Sequence, residues 1–346
     1  FLLFILVSST VHAYKAQEVY KGNDVLWSFD FVSPIEVLIS HRNGEAFYFN
    51  LQTNEKVKLS TPTVKVTGQG GLLDIHYLKK QSKEYVYYTY SEEFGGVVTT
   101  SLARGIYSNK EIKNLKGIFR AKVKSDTTRH FGSRLAFKED YIFMSVGDRG
   151  ERHYAQDLNF HNGKILRLKL DGSVPPDNPY ITTKGALPEI WSYGHRNPQG
   201  LDFQPQSGEL FSCEFGPLGG DELNLIKKSK NYGWPVITYG REYYGPKIGT
   251  THKPGMEQPL TYWVPSISPS GMAFYQGDKV PEWKNNLFLA NLSSRHLRRL
   301  KLQGTKIVEQ NEYFKDLGER IRHVRSGLDG YLYFSTDSGK LFRVLK

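Results

Sequence analysis

Two polar clusters in the middle of the chain combine residue types that suit cofactor and metal binding. The first, residues 194–200, contains Arg196 and Asn197, and the second, residues 214–224, is rich in glycine, carboxylates and amides. The apolar alternation of residues 201–213 predicts a hairpin, so both clusters leave it at the same end. Glycines in the second cluster allow sharp turns that expose carbonyl oxygens beside carboxylates, a ligand set that calcium prefers. A Gly-rich loop with solvated charges explains any one of these residues, but it does not explain the pairing of the clusters.

A recurring unit of alternating apolar strands predicts how the chain positions these clusters. Aromatic and β-branched runs punctuated by Gly favour strands over helices, and sheets repeated around an axis are typical of a propeller. Six segments begin such a unit: Trp27–Phe31, Leu72–Tyr77, Ser133–Phe137, Gly200–Phe203, Ser270–Tyr275 and Arg322–Ser326. A sandwich with long loops is the alternative, but the even spread of the starts argues against it. We therefore predict an all-β fold with a single domain over residues 14–346.

The first strand of each propeller blade lines the axis, so the loops that lead into these strands should gather on one face. Five loops of unusual composition precede an inner strand: residues 68–71, 129–132, 194–197, 266–270 and 319–322. Within them, His130 is notable because a neutral imidazole near pH 7 can accept a proton from a hydroxyl group. A surface or core histidine is the alternative interpretation of that residue.

The first 13 residues differ in composition from the rest of the chain. Residues 1–7 are uniformly apolar and residues 8–13 end in a V-x-A pattern, which predicts a signal peptide cut after Ala13 and clipped at its start. An N-terminal strand of the first blade is the alternative. We accordingly expect a periplasmic or secreted protein. The single Cys213 fits an exported protein that folds without disulfides, and its apolar neighbours predict a buried, inert thiol.

Charge and hydropathy limit the partners. The net charge is +11, from 46 Lys and Arg against 35 Asp and Glu, which would suit a nucleic acid, an anionic envelope or an anionic cofactor. The basic residues are dispersed and no nucleic-acid motif is present, so we expect a solvated basic surface and no nucleic-acid partner. No apolar run is long enough to span a bilayer, so we predict no membrane span.

The sequence motifs of the two clusters resemble those of a known family. R-N-P-Q-G-L, from Arg196, followed by G-P-L-G-G-D-E-L-N, from Gly216, resembles the soluble aldose sugar dehydrogenases of the glucose/sorbosone dehydrogenase group. The resemblance covers nearly all of residues 25–346. It implies a six-bladed β-propeller with four-stranded antiparallel blades that holds pyrroloquinoline quinone (PQQ) over a calcium ion. The implied activity is oxidation of aldose sugars at C1 to lactones, with electrons passed to an external acceptor.

The resemblance also implies a catalytic base and a set of cofactor contacts. His130, in H-F-G-S-R-L, matches the family's catalytic histidine, which would deprotonate the anomeric hydroxyl while hydride passes from C1 to the quinone. PQQ carries three carboxylates, which suit guanidinium and amide partners. Arg320 and Arg322 lie two apart on a strand and should point the same way, so both can face one ligand. The cofactor-binding positions implied are Gln69, Arg196, Asn197, Arg320 and Arg322.

Metal and substrate positions follow from the same resemblance. Gly216 and Pro217 match the pair whose carbonyls hold the family's calcium, which would bridge protein and quinone and act as a Lewis acid. Asp148 and Asp157 lie in a stretch resembling the family's G-D-x-G…A-Q-D-L, and they are candidates for a structural calcium site or for turn capping. The candidate substrate contacts are Asp221, Tyr232 and Trp234.

Four positions depart from the family pattern. Phe215 replaces Gln or His, Leu218 replaces a frequent Arg, Arg129 replaces Asp or Asn, and Ser293 replaces a Lys that contacts the quinone. Each change could weaken PQQ binding, although Arg129 could supply a positive charge from another wall. One alternative function is therefore a catalytically impaired propeller of the same family that binds a glycan or a protein. Another is a calcium-dependent hydrolase, which would need a carboxylate-lined axis, whereas these loops contain Arg, Gln and His.

Overall fold

The fold is built almost entirely from β-strands. The structure, a computed structural model, describes residues 14–125 and 127–346, so the predicted signal peptide lies outside the described residues. Within them, three short 3-10 helices occur at Arg152–Ala155, Pro281–Trp283 and Lys315–Leu317. No helix in this part of the chain is long and apolar enough to cross a membrane.

The strands of the described residues follow one another in the chain, and the longest connection, residues 227–260, joins β16 to β17. In chain order they are β1 (Lys15–Lys21), β2 (Leu26–Ser33), β3 (Glu36–His41), β4 (Ala46–Asn50), β5 (Lys56–Leu59), β6 (Leu72–Lys80), β7 (Lys83–Phe94), β8 (Val97–Ser108), β9 (Glu111–Arg120), β10 (Leu135–Lys138), β11 (Tyr141–Val146), β12 (Lys164–Lys169), β13 (Ile190–Tyr193), β14 (Pro198–Phe203), β15 (Leu210–Glu214), β16 (Asp221–Ile226), β17 (Thr261–Trp263), β18 (Pro269–Phe274), β19 (Leu287–Asn291), β20 (Leu297–Gln303), β21 (Lys306–Tyr313), β22 (Ile321–Ser326), β23 (Leu332–Thr336) and β24 (Lys340–Leu345).

These strands form six four-stranded antiparallel sheets, which confirms the predicted six-bladed β-propeller. Five sheets use four consecutive strands each, from β2–β5 to β18–β21. The six predicted inner segments overlap six strands, one in each sheet. Five of these strands, β2, β6, β10, β14 and β18, begin the five consecutive groups, and the sixth, β22, belongs to the remaining sheet. The predicted hairpin is also confirmed, with Phe203 paired to Leu210 between β14 and β15.

The sixth blade closes the ring with a strand from the other end of the chain. Its order is β1-β24-β23-β22, and β1 pairs with β24 from Lys15 opposite Leu345 to Lys21 opposite Lys340. The sequence analysis did not predict this closing strand. Four of the seven residues of β1 are polar or charged, and most of the strand is exposed, because an outer edge strand needs little apolar surface.

The hydrophobic core is divided into layers between neighbouring blades. In β3, Leu38 packs with residues of the second blade, whereas Val37 and Ile39 pack with residues of the sixth. Successive side chains of a strand point to opposite faces, so both faces of each blade are buried against a neighbour. Cys213 lies in one of these layers as a buried free thiol, as predicted, and burial raises the pKa of that thiol.

Arg134 connects the inner strands across the propeller axis. Its guanidinium donates to Asp74 Oδ1 at 3.0 Å, to the Gln199 carbonyl at 3.0 Å and to the Ser270 carbonyl at 2.9 Å. It also lies 4.2 Å from the ring centroid of Trp27. With 1% of its surface exposed, this residue links five blades and divides the axis into two compartments.

Candidate active site

A cavity of about 440 Å³ lies on the axis where the chain enters the inner strands, and we call it the front cavity. The predicted convergence of loops is therefore observed for three of the five, since residues from 68–71, 129–132 and 194–197 contribute to it. Its lining includes Gln69, Arg129, His130, Asp148, Arg152, Arg196, Pro217, Trp234, Glu242, Tyr243 and Tyr244.

His130 and Asp148 form a buried hydrogen-bonded pair in the front cavity. His130 Nδ1 lies 2.7 Å from Asp148 Oδ1, and Asp148 Oδ2 accepts a second hydrogen bond from Trp234 Nε1 at 2.8 Å. Because a carboxylate accepts the Nδ1 proton, the neutral imidazole carries its lone pair on Nε2. Burial, followed by the charge of Arg196, lowers the pKa of His130. The ring is therefore neutral near pH 7 and suited to accept a proton.

The same pairing defines the protonation state of Asp148. Burial alone would raise the pKa of this carboxyl, but the hydrogen bond from His130 and the charge of Arg196 hold it below its ordinary value. Asp148 thus remains an anion that orients the imidazole and would stabilise it when protonated. The sequence analysis placed Asp148 among candidate calcium ligands and did not predict its contact with His130.

Two further side chains hold the backbone on either side of His130. Gln69 Oε1 accepts the His130 backbone N–H at 2.8 Å. Arg149, fully buried, donates to the carbonyl of Arg129, and to those of Val98 at 3.2 Å and Thr127 at 3.0 Å. Its guanidinium also lies 3.4 Å from the ring centroid of Phe131, next in sequence to His130. Burial lowers the pKa of Arg149 to about 9.

Arg149 was missed by the sequence analysis, because nothing in G-D-R-G distinguishes a buried arginine from a solvated one. Its position between Asp148 and the loop before His130 means that one residue joins both members of the pair. The guanidinium donates to three backbone carbonyls of this cluster, so removing it would cost hydrogen bonds at each of them.

Arg196 lies against the loop predicted to bind calcium. Its Nη1 donates to the carbonyls of Phe215 at 3.1 Å and Gly216 at 2.8 Å, and its guanidinium lies 5.4 Å from the ring centroid of Trp234. Pro217 lines the front cavity on the same side. The predicted calcium loop and a predicted cofactor contact are thus brought together.

Asn197 is completely buried behind the His130 loop. Its Oδ1 accepts the Gly132 backbone N–H at 3.1 Å. Its Nδ2 has no hydrogen-bond partner within the described residues. Buried donors are almost always paired in folded proteins, so this amide needs a partner that the described chain does not supply.

A pair of glutamates lies beside the Gly216 loop, within the cluster of residues 214–224 for which the sequence analysis predicted a calcium site. Glu214 and Glu222 are directly opposite each other in adjacent strands, where like charges are destabilising. They line a small cavity of about 10 Å³, together with Phe215 and Gly216. That volume holds about one water or one ion.

The surroundings of this pair are rich in oxygen. Asn224 Nδ2 donates to Glu214 Oε1 at 3.0 Å and to Glu222 Oε2 at 3.1 Å, while its own Oδ1 has no partner within the described residues. Burial and the charge of Glu214 raise the pKa of Glu222 to about 8. No group of three or more His, Cys, Asp or Glu side chains in the described chain could hold a metal. A cation here would therefore combine the two carboxylates with backbone carbonyl oxygens of the Phe215–Gly216 segment.

The predicted arginine pair points to one partner, although not into the front cavity. Arg320 Nε and Arg322 Nε lie 2.9 Å and 2.7 Å from the two oxygens of Asp337. The prediction that both side chains face the same way is confirmed. Neither lines the front cavity, because the Nε atom of each arginine donates a hydrogen bond to Asp337. Ser293, the residue in place of the family's Lys, donates to the Ser266 carbonyl at 3.0 Å.

Three predicted site residues form hydrogen bonds outside the front cavity. Asp157 caps its own turn, accepting both the backbone and side-chain N–H of Asn159 at 2.9 Å, so the structure does not bring it together with Asp148. Asp221, 0% exposed, accepts hydrogen bonds from Gly216 N and from three donors within residues 266–268.

Tyr232 is buried and its ring stacks on His195, while its hydroxyl donates to the Leu225 carbonyl. Neither Asp221 nor Tyr232 lines the front cavity. Trp234 does line it.

The outer wall of the front cavity comes from a segment that the sequence analysis did not assign. Arg152 Nη1 pairs with Glu242 Oε1 at 2.6 Å, which ties residues 242–244 to the loop after Asp148. Tyr243 and Tyr244 follow, 68% and 82% exposed, at the rim. The cavity is thereby bounded by three guanidinium groups, from Arg129, Arg152 and Arg196, against the carboxylates of Asp148 and Glu242.

Comparison with known proteins identifies the family to which this chain belongs. The sequence model of the Glucose / Sorbosone dehydrogenase family matches residues 23–343. The chain belongs to this family. The fold and the His130 loop described above are therefore those of a family member, and the identification agrees with the resemblance carried by the two polar clusters.

Several relatives of this family member are similar over most of their length. The aldose sugar dehydrogenase YliI of Escherichia coli strain K12 is 41% identical over 320 residues, 89% of this chain and 86% of the relative. The crystal structure of the soluble aldose sugar dehydrogenase from Escherichia coli in the apo-form superposes with a TM-score of 0.92 at 38% identity, covering 96% of this chain and 99% of that one. The PQQ-bound form of aldose sugar dehydrogenase from Streptomyces coelicolor superposes with a TM-score of 0.80 at 26% identity, covering 96% and 98%.

Proposed function

We propose that this protein oxidises aldose sugars at C1 to lactones, with PQQ as the cofactor and His130 as the base. The observation that carries the proposal is the 2.7 Å pairing of His130 with Asp148 inside the front cavity. It leaves Nε2 of a neutral imidazole available to a substrate hydroxyl.

The chain's own groups account for the proton transfer. The anomeric hydroxyl would give its proton to His130 Nε2, and the carboxylate of Asp148 would stabilise the resulting imidazolium. The lowered pKa of His130 keeps the ring neutral before this step. PQQ, when bound, supplies an o-quinone that accepts the hydride leaving C1. The electrons would then pass to an external acceptor.

The front cavity fits an anionic, planar cofactor. Within the described residues, neither Arg129 nor Arg196 forms an ion pair with a carboxylate, whereas Arg152 is paired with Glu242. Gln69 adds an amide group to the lining, and Asn197, which lies behind the lining, has a buried Nδ2 without a partner in the described residues. Guanidinium and amide donors suit carboxylates. We propose these four residues as the main cofactor contacts. Arg320 and Arg322 would contribute from a greater distance unless Asp337 releases them.

We also propose that calcium binds beside Gly216. Glu214 and Glu222 line a space of single-ion size together with Phe215 and Gly216, whose carbonyls accept hydrogen bonds from Arg196 Nη1 and would turn to the ion when it binds. Oxygen ligands of this kind suit calcium, and a divalent cation would relieve the repulsion of the opposed glutamates. Pro217 remains a proposed carbonyl ligand where this loop meets the front cavity.

We further propose that the protein works outside the cytoplasm. The support is the apolar segment that ends at Ala13. Export would also give the enzyme access to sugars and to an external electron acceptor.

Reconstitution tests the proposal directly. The full chain, freed of metal and cofactor, is given PQQ and calcium and mixed with a panel of aldoses and a redox dye. We expect dye reduction that requires the sugar and PQQ. If PQQ binds, as measured by its absorbance, but no aldose supports turnover, the enzyme proposal fails and a sugar-binding or protein-binding role replaces it.

A further inference from the structure

A second cavity occupies the opposite end of the axis, and we call it the rear cavity. We propose that it binds a neutral polyhydroxylated ligand of about the size of a monosaccharide. Its volume is about 410 Å³, within the range of roughly 300–1,000 Å³ that is usual for small-molecule sites. It is lined at the far ends of the inner strands, by residues including His76, Phe203 and Arg325.

The rear cavity is separate from the site proposed above. The inner strands all run from the front loops to the rear, so a residue late in β6 or β14 lies far from the loop that precedes it. Between the two cavities, the guanidinium of Arg134 bonds across the axis to Asp74, Gln199 and Ser270. With 1% of Arg134 exposed, a ligand in one cavity does not reach the other.

The charges that face the rear cavity nearly cancel. Arg134 pairs with Asp74 at 3.0 Å, and Arg325 pairs with Asp30 at 3.1 Å. Asp202 adds a carboxylate that the ion pairs of the described residues do not include. An anion would meet this extra negative charge, and a cation would meet two guanidinium groups. A neutral ligand avoids both conflicts.

The histidines do not change this balance near pH 7. His76 Nδ1 lies 3.1 Å from Asp30, yet burial lowers the pKa of His76 to about 4. Burial, followed by the charges of Arg134 and Arg325, also lowers the pKa of His323. Both rings are therefore neutral. His76 Nδ1 is engaged by Asp30, which leaves its Nε2 as an acceptor, whereas His323 has one donor and one acceptor nitrogen without partners in the described residues.

Several polar atoms of the residues that line the rear cavity have no hydrogen-bond partner within the described residues. Both ring nitrogens of His323, which is 2% exposed, and Nε of Arg325 have no hydrogen-bond partner within the described residues. Among the residues that the structure describes, the donors to the Asp202 carboxylate are the backbone N–H groups of Phe203 and Phe274, both at 2.9 Å. This mixture of donors and acceptors around one space matches a ligand whose hydroxyl groups both donate and accept.

The remaining walls are aromatic and apolar. Phe137 stacks on His76 with ring centroids 4.0 Å apart and an interplanar angle of 7°, and Phe203 and Phe274 complete that side. A pyranose presents an apolar face of C–H groups and an edge of hydroxyls. The rear cavity offers an aromatic wall for the face and the Asp202–His323–Arg325 group for the edge.

The test uses the full chain and 1,5-anhydroglucitol, a pyranose without an anomeric hydroxyl that cannot be oxidised at C1. Saturation-transfer NMR measures its affinity, and a soaked crystal locates it. We expect the sugar in the rear cavity, in contact with Asp202. Asp202→Asn, which removes a charged acceptor, should weaken this binding by about tenfold or more. Leu78→Trp, which fills the cavity from its rim, should abolish it.

Matched controls separate this proposal from the proposed dehydrogenase activity. Asp278→Asn changes an acid that is 78% exposed outside the cavity and should leave sugar binding unchanged. Asp202→Asn should retain wild-type dye reduction if the wild type is active, so each proposal can fail alone. A sugar found only in the front cavity, water alone in the rear cavity, or tighter binding of inorganic phosphate there would overturn the inference.

Discussion

The imidazole of His130 and the carboxylate of Asp148 are joined at 2.7 Å although 18 residues separate them in the chain. His130 precedes β10 and Asp148 follows β11, so one hairpin of the third blade brings the two side chains to the same face. Trp234, from the fourth blade, holds the second oxygen of Asp148. This relationship determines which nitrogen of His130 is available to a substrate.

Replacing His130 tests the assignment of the base. In a reconstituted enzyme, His130→Ala should reduce kcat by about 10²–10⁴-fold, the usual contribution of a general base, while PQQ binding changes little. Dye reduction and a PQQ absorbance titration measure the two effects. The exposed His252→Ala serves as the matched control. Full turnover by His130→Ala would remove the base assignment.

The pH dependence tests the role of Asp148. Because the neutral form of His130 is the active one, the rate should rise with pH through a pKa below the ordinary value of 6.5. Asp148 raises that pKa, so Asp148→Asn should move the rise to still lower pH and also lower the maximal rate. A pH profile of kcat/KM for both proteins checks this. An unchanged profile with an unchanged rate would show that the pair does not act in catalysis.

Arg149 should matter for both folding and catalysis. Arg149→Met removes the side-chain donor to the carbonyls of Val98, Thr127 and Arg129, which should cost about 2–4 kcal/mol of unfolding free energy. Denaturant unfolding measures this, with the exposed Arg241→Met as control. At a temperature where the variant is folded, kcat should still fall, and Arg149→Lys should restore part of it. A lower stability with unchanged kcat would leave Arg149 a structural role only.

Calcium should stabilise the protein through Glu214 and Glu222. Without metal, folding raises the pKa of Glu222 from 4.5 to about 8, so the folded state binds the extra proton between these values. Stability should therefore fall as pH rises across that window. Calcium replaces the proton, so its effect on Tm should be larger at pH 8 than at pH 6.

Glu222→Gln tests this assignment, since it should remove both the pH-dependent loss and the calcium effect. The exposed Glu111→Gln is the matched control. Melting curves with calcium and with a chelator give the result. Identical Tm values in saturating calcium and in chelator, for the wild type at pH 8, would contradict the proposed metal site.

The sequence alone determined the blades and the position of the candidate site. Period-two alternation and Gly-rich turns are local signals, and they located every inner strand, including β14 with its hairpin partner β15. The site loops could be found because each one precedes an inner strand. His130, Gln69 and Arg196 were therefore placed at one face before any contact was known.

Only the tertiary structure decided which partners these side chains have. Strand β1 pairs with β24 from the other end of the sequence. Asp337 forms ion pairs with both Arg320 and Arg322. Likewise, Glu214 faces Glu222 only because β15 and β16 pair in one register. A charged residue has the same local signature whether it is solvated, buried or ion-paired. Its state depends on which distant strand packs against it, and that is fixed by closure of the ring rather than by its neighbours in sequence.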